Sequence, residues 1–323
     1  MRGGSARLVF RAILLCLATL PILESQSLST QPRNRLQSRP KSRFIKVNGV
    51  RLHYLDWGGS GETIVFLHSL SWTAYKYSKF APRFTHKYRV LALTRRGSGL
   101  SDKPATGYDV RTQVEDLKQF LDALNIKMVT LIGNSLPADE MTLFAGIYPE
   151  RVNKLVYLTG FCWDNARFAD LASKDPTRMW QMNDRADYNA FQRKVTQERR
   201  NFSPDYTRVK APVLAFYGKD RWWKKALMLY DVDDEPELIS HIKDRTARKY
   251  FEKLRENREF RKEVEDYWNK VYLPYFDEQV ARFRRELANL RAVNLDLEVV
   301  TGYEFETSPD LIAPAILKFL EEF

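Results

Sequence analysis

Short apolar runs alternate with helical periodicity along most of the chain. Residues 63–67 and 90–93 are continuous apolar runs, as expected for strands buried on both faces of a parallel sheet. From Val114 to Leu124, apolar residues recur every three or four positions and predict a helix. The same reading predicts further strands at 128–132, 155–158, 212–217 and 295–300, and helices at 75–84, 138–148 and 309–323. Because strand–helix–strand repeats build parallel sheets, the sequence predicts an α/β fold with a mostly parallel central sheet and helices on both faces.

Three segments depart from this rhythm. Residues 51–57 alternate with period two and are followed by a glycine-rich turn, which predicts an antiparallel hairpin. Residues 161–209 are polar and predict a cap-like excursion over the carboxyl edge of the sheet. Residues 221–290 are highly charged but carry apolar residues at helical spacing, which favours amphipathic helices docked on the core over a partner-binding coil. We therefore expect one domain over residues 44–323 with a helical insertion.

The amino terminus has the pattern of a secretory signal peptide. Three arginines precede an apolar run over residues 12–23, and a polar stretch follows. The run is shorter than the roughly 20 apolar residues of a membrane span. We expect residues 1–25 to direct export to the periplasm or the extracellular space. An uncleaved amino-terminal membrane anchor is the alternative, because Leu23-Glu24-Ser25 is a poor cleavage site.

Composition, charge and cysteine content limit which classes of protein the chain can belong to. A hydrophobic content of 44% is ample for a large core. The formal charge is +11, and part of the excess lies in residues 26–43, a Pro- and Arg-rich tract that predicts a linker with weak affinity for anionic envelope surfaces. No nucleic-acid-binding motif accompanies the charge. The two cysteines are Cys16, inside the leader, and Cys162, so no intramolecular disulfide is expected in the mature chain.

The most specific chemical signal is the junction at residues 128–137. An apolar strand runs into Gly133-Asn134-Ser135, and a helical stretch follows at once. This is how a nucleophilic serine is presented on a sharp strand-to-helix turn. The residues two positions before and after such a serine are usually glycine, which avoids a steric clash in the tight turn. Gly133 fits this pattern. Pro137 departs from it two positions after, although proline suits the first turn of a helix.

Three stretches together resemble the α/β-hydrolase family in its secreted bacterial esterase-like branch. They are residues 66–70 (Phe-Leu-His-Ser-Leu), 95–102 (Arg-Arg-Gly-Ser-Gly-Leu-Ser-Asp) and 133–137 (Gly-Asn-Ser-Leu-Pro). The resemblance implies Ser135 as nucleophile, the backbone amides of Leu70 and Leu136 as the oxyanion hole, and Asp220 as the acid. Asp164 is the reserve candidate for the acid. The resemblance implies a small-molecule acyl substrate. The sequence has no glycine-rich phosphate loop, metal-ligand cluster or dinucleotide fingerprint, so no cofactor and no metal are expected.

The base is the departure from the family. The resemblance places Gly302 or a near neighbour where a histidine is expected, so the catalytic triad is degenerate. His241 and Glu304 are candidates for the base, but weaker ones than a histidine at the position of Gly302 would be. His53 and His86 are expected to be remote from the active edge of the sheet, and His68 is expected to brace the loop that follows the strand at 63–67.

Three functional hypotheses follow from the sequence. The first is a secreted serine hydrolase of esters or related acyl compounds, with activity weakened by the missing histidine. The alternative is a non-catalytic pseudohydrolase that keeps the pocket for ligand binding or interaction. A third reading is an envelope-associated interaction protein that uses the basic linker. Epoxide hydrolases and haloalkane dehalogenases share the fold but use an aspartate nucleophile, and Ser135 argues against both.

Overall fold

A computed structural model describes residues 39–70, 72–158, 164–178, 190–217, 245–294 and 304–322. The strands are β1 Lys41–Val47, β2 Val50–Gly58, β3 Thr63–Leu67, β4 Arg89–Thr94, β5 Val129–Gly133, β6 Val152–Tyr157, β7 Val213–Tyr217 and β8 Leu290–Asn294. The helices are α1 Val110–Ala123, α2 Pro137–Ile147, α3 Asn165–Ser173, α4 Ala190–Arg199, α5 Arg245–Glu256, α6 Arg258–Tyr267, α7 Leu273–Glu286, α8 Glu304–Thr307 and α9 Pro309–Glu322.

The strands form one eight-stranded sheet with the order β1-β2-β4-β3-β5-β6-β7-β8. β2 pairs antiparallel with both β1 and β4. The remaining neighbours pair in parallel. The predicted α/β fold with a mostly parallel sheet is therefore confirmed. Parallel strands end at a common edge, so the loops that follow β3, β4 and β5 emerge side by side.

The strand predicted at residues 51–57 does belong to an antiparallel hairpin, but its hairpin partner is the preceding strand β1. The glycine-rich stretch after it was predicted as the turn and instead leads to β3, which does not pair with β2. Asn48 and Gly49 both adopt positive φ, at 45° and 75°, and link Val47 to Val50 in a two-residue turn. Such turns match the right-handed twist of the flanking strands. β1 begins at Lys41, so the strand takes in the last three residues of the segment predicted as linker.

Two predicted elements differ from the structure. Residues 75–84 do not form one crossover helix but two short 3₁₀ helices, Ala74–Tyr77 and Ala81–Phe84. Pro82 lies in the first turn of the second one, and a proline there cannot continue a preceding helix because it lacks the N–H group.

The second difference concerns the last strand. Leu287 and Leu290 carry helical spacing, but α7 ends at Glu286 and Leu287 is extended. Leu290 begins β8 and pairs with Val213 of β7. The parallel ladder offered by β7 overrides the local helical pattern. The predicted strand at 295–300 lies outside the described residues.

The charged helices α5–α7 dock on the core as expected. Their buried apolar side chains include Leu254, Val264, Phe276 and Phe283, and Trp268 is buried in the π-helical turn between α6 and α7. Their charged residues lie on the other faces, which is the amphipathic arrangement that the spacing predicts. Among the described residues, no helix is both long and apolar enough to cross a membrane.

Candidate active site

Ser135 lies on the sharp turn between β5 and α2, and we call this turn the elbow. Its φ is +63°, an uncommon value for a residue other than glycine, and its side chain is exposed. Gly133, at the end of β5, is required by space: a Cβ there would lie 2.7 Å from the Met141 sulfur and 3.1 Å from the Pro137 Cγ. The positive φ of Ser135 is a backbone strain that costs about 1–3 kcal/mol, and it persists only where the surrounding structure holds it.

Pro137 begins α2, so the departure from the expected small residue is absorbed by the helix. Proline suits this position because its missing N–H would have no intrahelical acceptor. The Leu136 amide precedes it at the same helix start, where N–H groups have no acceptor within the helix. Amides of this kind can stabilise a developing negative charge.

The loop after β3 lies next to the elbow, because Leu67 pairs with Gly133 at the ends of their strands. His68 is fully buried in this loop. Its Nε2 accepts a hydrogen bond from the Arg95 amide at 3.1 Å, so Nδ1 carries the proton and donates to the Ser69 carbonyl at 2.7 Å. Ser69 does not adopt a positive φ, so the serine at this position is accommodated without backbone strain. Leu70 follows and is half-buried.

His68 braces the loop, as expected from the sequence, and is not available as a base. Burial lowers the pKa of His68 well below its usual value, and the positive charge of Arg95 adds to this effect. Both ring nitrogens are already committed to backbone groups.

A buried cluster of four charges lies directly behind the elbow. The guanidinium of Arg95, which follows β4, donates to Glu140 Oε1 at 2.5 Å. Arg199, the last residue of α4, donates to the same Glu140 oxygen at 2.8 Å and to Asp139 Oδ2 at 3.1 Å. Arg199 also donates to the carbonyl of Leu136 at 2.8 Å. We call Arg95, Asp139, Glu140 and Arg199 the elbow charge cluster.

The elbow charge cluster is neutral as a whole, and each member is at least nine-tenths buried. Burial raises the pKa of Asp139, while Arg199 and a hydrogen bond from Asn165 oppose the shift. Burial alone would lower the pKa of Arg199, but Glu140 and Asp139 raise it. Arg199 therefore stays charged and ties α4 to the backbone of the residue after Ser135.

The carboxyl-terminal segment also reaches the elbow. The Tyr77 hydroxyl donates to the Leu67 carbonyl at 2.8 Å and to Asn134 Oδ1 at 3.3 Å. Phe305 packs on Tyr77 with ring centroids 4.9 Å apart. Its neighbour Glu304, one of the two weaker base candidates, is buried. Phe305 and Tyr77 thus link the segment that carries Glu304 to Asn134, the residue before Ser135.

The placement of His53 corrects a prediction. His53 pairs with Thr94, the last residue of β4, so it is level with the active edge rather than remote from it. It is nevertheless three strand spacings from β5, or about 14 Å. Its Nδ1 lies 2.9 Å from the Thr94 hydroxyl and its Nε2 3.0 Å from the Ser42 hydroxyl. His86 precedes β4 and therefore lies towards the opposite edge, as expected.

The other predicted site residues divide into two groups. Asp220, His241 and Gly302 lie outside the described residues. Asp164, the reserve acid, is committed to structure: it caps α3 through the Arg167 amide and accepts a hydrogen bond from Ser203 at 2.7 Å. Among the described residues, no group of three or more His, Cys, Asp or Glu side chains could hold a metal ion.

The elbow charge cluster is the part of the site that sequence reasoning missed. Arg95 belongs to a motif that was recognised, but Arg199 lies in a polar segment more than 100 residues further along the chain. One signal was present: Asp139 and Glu140 fall in the first turn of a helix that is otherwise buried and apolar. Two acids on a buried surface require cationic partners.

Comparison with known proteins agrees with this geometry. The chain matches the family model of the alpha/beta hydrolase fold over residues 62–273. Because the match covers more than half of the chain, the protein belongs to the α/β-hydrolase family.

Individual relatives match over shorter stretches. A cis-3-alkyl-4-alkyloxetan-2-one decarboxylase from Shewanella oneidensis is 35% identical over 123 residues, covering 36% of this chain and 38% of the relative. A soluble epoxide hydrolase from a Corynebacterium species is 32% identical over 112 residues, covering 35% of this chain and 39% of the relative. The chain thus spans well under half the length of these two relatives.

Solved structures extend the likeness in fold. The crystal structure of E-2-(acetamidomethylene)succinate hydrolase superposes with a TM-score of 0.55. It is 19% identical in sequence, and the match covers 87% of this chain and 99% of that one. At this level of identity the similarity concerns the fold alone.

The elbow charge cluster leads to a first prediction. Arg199→Met leaves Asp139 and Glu140 buried with one cation between them, so we expect the free energy of unfolding to fall by about 3–5 kcal/mol. Adding Asp139→Asn removes the unpaired charge and should restore part of the loss. Urea denaturation followed by circular dichroism measures both. Arg200→Met, at the exposed neighbouring position, serves as control and should change stability by less than about 0.5 kcal/mol. An Arg199→Met protein as stable as this control would refute the pairing.

His68 leads to a second prediction, on pH. The folded protein keeps His68 neutral, whereas in the unfolded chain it takes up a proton below its ordinary pKa of about 6.5. Stability is therefore present above pH 6.5 and lost as the pH falls towards 5, by up to about 1.4 kcal/mol per pH unit for this one proton. His53, whose pKa is also lowered by burial, adds to the same trend.

Denaturation series at pH 7.5, 6.5, 5.5 and 5.0 check this dependence. His68→Asn should be less stable at pH 7.5 because the Arg95 amide loses its acceptor, but its stability should fall less steeply with acid. His86→Asn, at an exposed histidine, should retain the slope of the unaltered protein. An unchanged slope in His68→Asn would contradict the neutral, buried assignment.

Proposed function

We propose that this protein is a serine hydrolase acting on esters or related acyl compounds, with Ser135 as the nucleophile. The observation that carries the proposal is the elbow itself: Ser135 is held at φ +63° and exposed between a buried strand and a helix start. Strained serines at such turns are presented to substrate rather than packed in the core. An aspartate at this position would suit epoxide hydrolysis, and the serine argues against that reaction here.

The chemistry would proceed in two steps. The Ser135 hydroxyl attacks the acyl carbon, its proton passes to a base, and the alcohol leaves to give an acyl-enzyme. Water then hydrolyses the acyl-enzyme and regenerates Ser135. The amides of Leu70 and Leu136, at the ends of adjacent β3 and β5, are the proposed donors to the oxyanion. Asp220 is proposed to orient or charge-stabilise the base.

The supply of a base limits the rate. His53 and His68 are committed to other partners, and His86 lies towards the wrong edge of the sheet, so no histidine in the described ranges fills the role. His241 and Glu304 remain the candidates. A carboxylate such as that of Glu304 is a weak proton acceptor for a serine hydroxyl. Loss of one triad member in serine hydrolases costs roughly 10⁴–10⁶-fold, which leaves slow turnover.

A third prediction tests this reading. We expect Ser135 to react slowly with a fluorophosphonate probe and to hydrolyse 4-nitrophenyl esters feebly, and Ser135→Ala should abolish both. Intact-mass spectrometry and absorbance at 400 nm are the measurements. Fast hydrolysis lost in Ser135→Ala would show that another residue supplies the base, and His241→Asn would then be the first variant to examine.

Restoring the family's histidine sharpens the same test. Gly302→His should raise the ester rate by about 10²–10⁴-fold, the usual contribution of a positioned base. Gly302→Asn, which adds a similar polar side chain without a base, is the matched control and should not. No reaction in any form, together with tight binding of a small molecule, would favour the alternative function of a ligand-binding pseudohydrolase.

We further propose that the protein is exported, with residues 1–25 removed. The arginine-flanked apolar run at 12–23 supports this proposal. As a fourth prediction, the mature chain isolated from its native source should begin near Gln26. Mass spectrometry of the amino terminus makes the measurement, and an intact Met1 on a cytoplasmic product would contradict it.

A further inference from the structure

An open cavity of about 650 Å³ lies at the carboxyl edge of the sheet, beside the loops that follow β3 and β4. Three parts of the chain enclose it: the loop after β3, the loop after β4, and the first half of α4. The lining side chains that matter are two lysines and three aromatic rings, namely Lys103, Lys194, Trp72, Tyr108 and Phe191.

The aromatic wall is rigidly built. Phe191 meets Tyr108 edge to face, with centroids 5.1 Å apart. A Cβ at Gly97 would lie only 2.2 Å from the Phe191 ring, so the β4 loop presses directly on this wall. Glu198 of α4 accepts hydrogen bonds from the amides of Gly107 and Tyr108, at 3.0 and 2.7 Å. These contacts hold α4 against the loop and keep the rings in place.

The charge on the cavity is positive. Lys103 is exposed and Lys194 half-buried, and neither ammonium forms an ion pair within the described parts of the chain. The described side chains that line the cavity include these two lysines and no acid. Of the acids nearby, Glu198 accepts hydrogen bonds from the amides of Gly107 and Tyr108, and Asp102 accepts one from the Arg51 amide at 2.7 Å. A cavity lined by two cations and three aromatic rings attracts an anion that carries an apolar body.

The helix that lines the cavity also supports the elbow. Lys194 precedes Arg199 by five residues on α4, a rise of about 7.5 Å. Arg199 binds the carbonyl of Leu136, next to Ser135. Helix α4 therefore lines the cavity with Lys194 and supports the loop of Ser135 with Arg199.

We propose that this cavity binds the carboxylate end of an organic acid with an aromatic or apolar body, so that the preferred substrates are esters that carry a free carboxylate. The binding part stands on the cavity alone. The statement about substrates rests on the proposed hydrolase function.

Binding is tested without turnover, as the fifth prediction. In calorimetric titrations of the full chain, 2-naphthoate should bind more tightly than its neutral counterpart 2-naphthamide. Lys103→Gln/Lys194→Gln should weaken naphthoate about tenfold or more and leave naphthamide unchanged, because a charge-assisted contact is lost. Lys46→Gln/Lys79→Gln removes the same charge from exposed positions off the cavity and should retain the preference. Equal binding of acid and amide, or an unaffected lysine variant, would overturn the proposal.

Turnover extends the test to the substrate. The KM for 4-nitrophenyl hemiglutarate should rise in Lys103→Gln/Lys194→Gln with kcat unchanged, while the constants for 4-nitrophenyl butyrate stay the same. If the two esters respond alike, the substrate assignment is wrong. If neither ester is hydrolysed, the hydrolase function fails, and the naphthoate titration still decides whether the cavity binds carboxylates.

Discussion

The elbow charge cluster is the interaction on which the rest of the site depends. Arg95 comes from the loop after β4, Asp139 and Glu140 from the start of α2, and Arg199 from the end of α4. Removing four charges from water is costly, and the cost is offset only when each group meets its partner with good geometry. The cluster therefore stabilises one relative arrangement of three segments. That arrangement holds the strained backbone of Ser135 and positions Leu136.

The need of buried polar groups for partners also explains the role of the histidines. His68 and His53 are buried, and each spends both ring nitrogens on neighbouring backbone or hydroxyl groups. Burial lowers the pKa of each, so they remain neutral structural residues. A base must instead keep one nitrogen turned to the nucleophile. The described part of this site thus preserves the presentation of a serine while its described histidines serve the fold.

Helix α4 contributes both to the support of the elbow and to the cavity. α4 carries Arg199 at its end, facing the elbow, and Lys194 and Phe191 earlier, facing the cavity. A polar segment that looked like an excursion in the sequence is therefore part of the framework of the site. Arg199 is buried and paired with Asp139 and Glu140, whereas Lys194 lines the open cavity.

What the sequence determined by itself was the local pattern. Buried parallel strands need continuous apolar runs and surface helices need a 3.6-residue period, so the α/β order and most element positions could be predicted. The serine elbow was predictable as well, because its strand, small residue and helix are contiguous in the chain.

Tertiary structure decided what depends on partners distant in sequence. Leu290 joined a strand because β7 offered an unpaired edge, and local spacing could not show that edge. His53 reached the level of the active edge because β2 runs antiparallel beside β4. Arg199 became a support of the elbow, more than 60 residues after Leu136, because two buried acids needed its charge. Periodicity reports only which face of an element is buried, whereas packing in three dimensions decides which residues meet there.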